Sequence, residues 1–124
     1  MVEAMRLGAE QRLRRAADFE QVRRHGRRVH CGAFVLQVLR RSTHVYPGGS
    51  AGCRFAVIAS RRVGNAVKRN RAKRLFREIL RFHQGCLPWD CDAVVVVRVD
   101  FEKYPFVVLK QRFTVACAQL RKAG

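Results

Sequence analysis

Between residues 61 and 81 apolar and cationic positions alternate with a helical period. Taken as a helix from about Asn65 at about 100° per residue, Ala72, Leu75, Phe76, Ile79 and Phe82 fall on one side, and Asn70, Arg71, Lys73, Arg74, Arg77 and Arg81 on the other. Upstream, Asp18, Phe19 and Val22 predict a short helix, capped by the Asp18 side chain, stopped by Gly26 and preceded by Leu13 as an apolar anchor. From about Val29 the period changes to two: Phe34, Leu36 and Val38 point one way, and Ala33, Val35, Gln37 and Leu39 the other. A second strand over Arg54 to Ser60 sets Phe55, Val57 and Ala59 opposite Ala56, Ile58 and Ser60. The turn residues Pro47-Gly48-Gly49-Ser50 between these strands predict an antiparallel hairpin. Gly85, Pro88 and Asp90 break the chain after the central helix. The β-branched run from Asp92 to Val99 then reads as a strand buried on both faces, parallel to an earlier one, with Arg98 on the face of Val94 and Val96. A last helix, Pro105 to about Lys122, repeats Val108, Phe113, Val115, Ala116 and Leu120.

Helix, strand, strand, helix, strand, helix makes an α+β two-layer domain. Both long helices need apolar support, which places them on the sheet face lined by Phe34, Leu36, Phe55 and Val57. The face with Val35, Gln37, Ile58 and Arg98 is left open, or covered only by the short first helix, and is a candidate cleft. A chain of 124 residues suits one domain, 1–124, with residues 1–12 and 123–124 expected to be flexible.

Charge changes the picture. Lys and Arg total 26 against 9 acids, a formal net charge of +17, yet 48% of residues are hydrophobic, so the chain is a folded basic module rather than a disordered tail. Arginine outnumbers lysine 21 to 5, which favours planar, bidentate donors suited to phosphate. Lys68, Arg69, Arg71, Lys73, Arg74, Arg77 and Arg81 repel one another within a few turns, relieved by one acid, Glu78. A polyanion would neutralise them, and nucleic acid is the first candidate. A solvated basic face and an anionic membrane surface are the alternatives. No stretch reaches the ~18 apolar residues of a membrane span and no secretion signal is present, so a cytoplasmic protein is expected. Cys31, Cys53, Cys86, Cys91 and Cys117 lack CxxC spacing and read as reduced, mostly buried thiols; Cys86 and Cys91, with His83 nearby, fall short of a zinc ligand set.

Catalytic groups are scarce. Asp90, Asp92 and Asp100 cluster around the third strand, where carboxylates can hold magnesium for phosphodiester cleavage, but strand ends and turns favour Asp for local reasons. His25, His30, His44 and His83 lie scattered with no partner carboxylate at suggestive spacing, and Gly48-Gly49-Ser50 lacks the Lys and helix of a phosphate loop. No helix-turn-helix, zipper or zinc finger positions the basic helix for a DNA groove. Binding of single-stranded or structured RNA fits the residues better than catalysis.

Val63-Gly64-Asn65-Ala66-Val67-Lys68-Arg69-Asn70-Arg71-Ala72-Lys73-Arg74-Leu75-Phe76-Arg77-Glu78 resembles the signature of the bacterial ribonuclease P protein component, whose Arg-Asn-Arg core is matched by Arg69, Asn70 and Arg71. The resemblance extends back through Arg12-Leu13-Arg14-Arg15, Asp18-Phe19, His25-Gly26 and Phe34-Val35-Leu36, and forward to Asp92 and Arg98. It leaves out both termini and the loop around Pro47.

The resemblance implies a mixed sheet of about four strands with three helices and a left-handed βαβ crossover, against the usual right-handed rule. It implies the protein subunit of a ribonucleoprotein that removes the 5′ leader of precursor tRNA, with catalysis and Mg2+ belonging to the RNA subunit and no cofactor held by the protein. Contact with the catalytic RNA falls on Arg61, Arg62, Lys68, Arg69, Asn70, Arg71, Lys73, Arg74 and Arg77. The leader cleft falls on Phe19, Arg23, Val35, Gln37 and Arg98, and a monomer in a 1:1 ribonucleoprotein is expected. Relatives often carry an aromatic residue where this chain has Arg23 and Tyr where it has Gln37, so stacking in the cleft is expected to be weaker, with the Arg23 guanidinium as substitute. A general RNA-binding module and a metal nuclease are the rival readings.

Overall fold

The computed structural model describes residues 12–41, 53–87 and 90–122. The expectations placed on residues 1–11 and 123–124 and on the Pro47-Gly48-Gly49-Ser50 turn lie outside them. Three helices and a four-stranded mixed sheet follow in the order α1 (Ala16–His25), β1 (Arg27–His30), β2 (Phe34–Arg40), β3 (Arg54–Ile58), α2 (Ala66–His83), β4 (Cys91–Val97) and α3 (Phe106–Lys122). The two-layer α+β architecture and its three helices agree with the sequence reading.

The strand order is β1-β2-β4-β3. β4 takes an interior place because its run Cys91-Asp92-Ala93-Val94-Val95-Val96-Val97 is apolar on both faces but for Asp92, and it is buried almost throughout. It pairs antiparallel with β2, Leu36 opposite Val95, and parallel with β3, Val57 opposite Val95. The expected hairpin between the Phe34 and Arg54 strands therefore does not form. β4 lies between them, and the parallel β3–β4 pair is bridged by α2 as a crossover. A further strand, β1, pairs with β2 through the turn at Cys31-Gly32-Ala33. Gly32 has φ 80°, and a Cβ there would approach the Tyr104 hydroxyl to 2.9 Å, so the turn requires glycine.

Alternation divides the sheet. Phe34, Leu36, Val38, Phe55, Ala93, Val95 and Val97 join Ala72, Phe76, Ile79 and Leu80 of α2 and Leu109, Phe113, Ala116, Cys117 and Leu120 of α3 in the main core. Phe34 and Phe76 meet edge to face at 5.0 Å, and burying each such ring stabilises the fold by about 1.5–3 kcal/mol. On the other face Leu13, Val22 and Val94 form a smaller cluster with Phe19, Leu39, Ala56 and Val96 packed against it.

Three expectations are corrected. Phe82 is 53% exposed, its ring beneath the Arg81 guanidinium at 5.1 Å. It lies about a third of a turn from Phe76, whereas Leu80 stands nearly in line with it and fills the core. In α3 Val115 is exposed and Leu109 and Cys117 are buried instead. α1 begins at Ala16 without a side-chain cap, because Leu13, whose N–H donates to the Phe55 carbonyl at 2.9 Å, draws the chain against β3 and starts the helix early. Asp18 is thereby left in the first turn, facing Arg54.

Candidate nucleic-acid interface

α2 is held at its start by two local devices. Gly64 has φ 147° and ψ −159°, a region open essentially to glycine, and a Cβ there would meet the Lys68 side chain at 2.6 Å. The Asn65 side chain then caps the helix, accepting the Lys68 backbone N–H at 2.9 Å. Buried Val63 anchors the short turn Arg61–Val63 that leads in, leaving Arg61 and Arg62 exposed.

All nine residues assigned to RNA contact stand on this turn and helix. Asn70, Arg71, Arg74 and Arg77 are exposed, while Lys68, Arg69 and Lys73 are half-buried, their stems lying against the protein. The cations wrap more of the helix than one face. Arg71 and Arg74 border a groove between α2 and the first turn of α3, at Phe106. Arg77 borders a separate cleft of about 260 Å³ with Arg12, Arg14, Phe19, Phe55, Ala56, Val57 and Leu80. Arg12 and Arg14 join this surface through the parallel bridge of Arg12 to Phe55. Their spacing of more than fifty residues from Arg77 gave no hint of the meeting. Glu102, in the turn before α3, pairs with Lys68 at 3.5 Å and with Arg71 at 3.4 Å. Arg81 is tied to Glu78 at 2.8 Å, which removes it from the exposed cationic set.

The five residues assigned to the leader cleft are less uniformly placed. Phe19 is half-buried beside Leu13 and Val22, with part of its ring in the cleft that Arg77 borders. Val35 and Gln37 occupy the same sheet face, opposite Val96 and Val94, Val35 nearly covered and Gln37 half-buried. Arg98 is exposed just past the end of β4, its N–H donating to the Ala33 carbonyl at 2.9 Å. Arg23 is exposed and engaged: its guanidinium donates to both Glu20 oxygens, at 2.6 and 3.1 Å, and Arg24 shares that carboxylate. These bonds hold the Glu20 carboxyl below the usual range and raise the Arg23 guanidinium. A role for Arg23 on RNA requires exchange of Glu20 for phosphate.

Asp92, 4% exposed, receives Arg54 in a two-pronged bond at 2.8 and 2.7 Å, with the Arg41 Nε at 3.9 Å, and Arg54 also reaches Asp18 at 3.4 Å. Asp92 thus fastens β3 to β4 and, through Arg54, to α1. Asp100 stands at the start of the turn Phe101–Lys103. No three His, Cys, Asp or Glu side chains gather as metal ligands among the described residues. No disulfide joins any of the five cysteines, and the fold brings Cys91 to Cys53, Sγ to Sγ at 3.4 Å, rather than to Cys86. That bond, with burial, pushes the Cys91 thiol far up and lowers Cys53; burial raises Cys31 to about 11 and Cys117 to about 12. Cys31, Cys91 and Cys117 therefore stay protonated at neutral pH and are poor nucleophiles.

Fold and site define a basic two-layer α+β module with exposed cations along α2 and the turn before it. A family model described as Ribonuclease P matches residues 7–121, and the chain belongs to the ribonuclease P protein family. It is 44% identical over 87 residues to the ribonuclease P protein component of Desulfovibrio desulfuricans, a match covering 70% of this chain and 63% of that one, just under two thirds of the relative's length. It is 36% identical over 110 residues to the same component of Desulforamulus reducens, covering 89% and 91%. Among solved structures it resembles the RNase P protein of Thermotoga maritima, with a TM-score of 0.71 and 27% identity over 87% of this chain and 96% of that one. The RNase P protein of Staphylococcus aureus shares the fold, with a TM-score of 0.71 at 22% identity over 90% and 95%. No described helix is long and apolar enough to cross a membrane.

Proposed function

We propose that this chain is the protein subunit of ribonuclease P, binding the catalytic RNA through α2 and the single-stranded 5′ leader of precursor tRNA beside Phe19. The observation that carries the proposal is the Lys68 to Arg77 stretch of α2. It carries six cations and no acid on a helix whose other side is locked into the core by Ala72 and Phe76, and it holds the Arg-Asn-Arg residues of the family. Phosphates replacing Glu102 on Lys68 and Arg71 would release counterions and relieve repulsion along the helix. The leader cleft combines a half-exposed ring for base stacking with Arg12 and Arg14 for the backbone, a pairing that tolerates many sequences.

In this reading the chain supplies no acid, base or nucleophile. Magnesium belongs to the RNA, and the protein's residues bind, orient and neutralise charge. One protein per RNA, in the cytoplasm, completes the assignment. Leader binding has a specific consequence: adding the protein to the RNA should tighten binding of precursor tRNA at least tenfold and leave mature tRNA, which lacks the leader, nearly unchanged. Equal gains for both substrates, measured by equilibrium binding at fixed magnesium, would exclude the leader role and leave a general RNA-binding module.

A further inference from the structure

The groove between α2 and α3 has a composition that phosphate neutralisation does not account for. Val67, Asn70, Arg71, Arg74 and Leu75 recur every three or four residues, so they form one stripe along α2, and Phe106 from the first turn of α3 faces them across about 640 Å³. Val67 is 68% and Phe106 38% exposed, an unusual display of apolar surface on so charged a helix. The Lys110 ammonium stands over one face of the Phe106 ring, 4.9 Å from its centroid, so a stacked base takes the other face or displaces this flexible side chain. Glu78, at the far end, is held by Arg81. Apolar walls around an aromatic ring, bounded by an amide and two exposed guanidinium groups, complement a nucleobase with phosphates on either side of it.

We propose that this groove receives one unpaired base of the catalytic RNA, stacked against Phe106, with Asn70 available to its polar edge and Arg71 and Arg74 on the flanking phosphates. The proposal rests on the reading of α2 as the RNA-docking helix. The volume accommodates a base with its ribose, within the usual range of ligand cavities. The occupant is the catalytic RNA rather than the leader because the groove opens between the helices that cover one sheet face, whereas Phe19 belongs to the cluster on the other. Charge sets this site apart from a protein-docking surface, since an apolar peptide would leave Arg71 and Arg74 without a counter-anion beyond Glu102.

The test combines filter binding with chemical probing of base reactivity on the reconstituted complex. The wild-type protein should shield one unpaired nucleotide of the RNA. Phe106→Ala should weaken binding about five- to 150-fold, the range expected for loss of one base–aromatic stack, expose that nucleotide again, and leave the salt slope unchanged because no phosphate contact is lost. Phe106→Tyr should restore both affinity and protection, which a mere folding defect in the alanine variant would not predict. Unchanged affinity and protection in Phe106→Ala would overturn the inference, as would a groove used for self-association, seen as a wild-type dimer that the substitution dissolves. Failure of the wild-type protein to bind the RNA at all would instead overturn the ribonuclease P reading, and this inference with it.

Discussion

Replacing Asp92 by asparagine is expected to cost about 3 kcal/mol or more and to lower the melting temperature by roughly 10–15 °C, followed by circular dichroism. The carboxylate is buried and receives both prongs of Arg54, so its loss removes the 2.7 Å ion pair of a guanidinium that is only 21% exposed, while the contact to Asp18 is longer, at 3.4 Å. Breaking one side of a buried pair is more damaging than never having had the pair, because the remaining charge keeps its desolvation cost. The effect should spread to α1, which is linked to the sheet through the same arginine. An unchanged melting temperature would separate Asp92 from the fold and reopen a chemical role for it, and with that the metal-nuclease alternative.

The second large effect concerns α2. Arg71→Ala, Arg74→Ala and Arg77→Ala combined should weaken binding to the catalytic RNA about a hundredfold or more at physiological salt and reduce the slope of log K against log salt by about two to three. Stability should scarcely change, because all three side chains are exposed and the single ion pair lost, Arg71 with Glu102, is of a kind worth about 0–1 kcal/mol. Thermal melts separate a binding defect from unfolding, and a salt slope equal to that of the wild type would remove these residues from the interface.

Much of the fold was legible because the strongest local signals coincide with the core. The period of α2, the β-branched run of β4 and the span of α3 each follow from burial on one face or two. What failed was long-range. The turn residues around Pro47 are those of a hairpin, but turn chemistry cannot reveal that a strand encoded forty residues later is more apolar than either partner and inserts between them. β1 was missed because Arg27-Arg28-Val29-His30 has one apolar residue; it is an edge strand held by backbone pairing with β2. Among candidate site residues, the cations of α2 could be read directly, since an uncompensated run of like charge needs no tertiary information. The meeting of Arg12 and Arg14 with Arg77, the pairing of Cys53 with Cys91, and the engagement of Asp92 by Arg54 all join segments distant in sequence. Asp92 illustrates the general difficulty: at a strand end an Asp reads as a turn residue, and only the register of Arg54 opposite Asp92 shows it to be a buried fastening.

As the proposed protein subunit of ribonuclease P, the chain assists cleavage by an RNA and does not itself cut. Precursor tRNA incubated with the purified protein alone should remain intact at any magnesium concentration. The matching catalytic RNA alone should cut poorly at low magnesium, and the two together should release the 5′ leader under those same conditions. Leader release by the protein without RNA, or no stimulation of the RNA by the protein, would contradict that role.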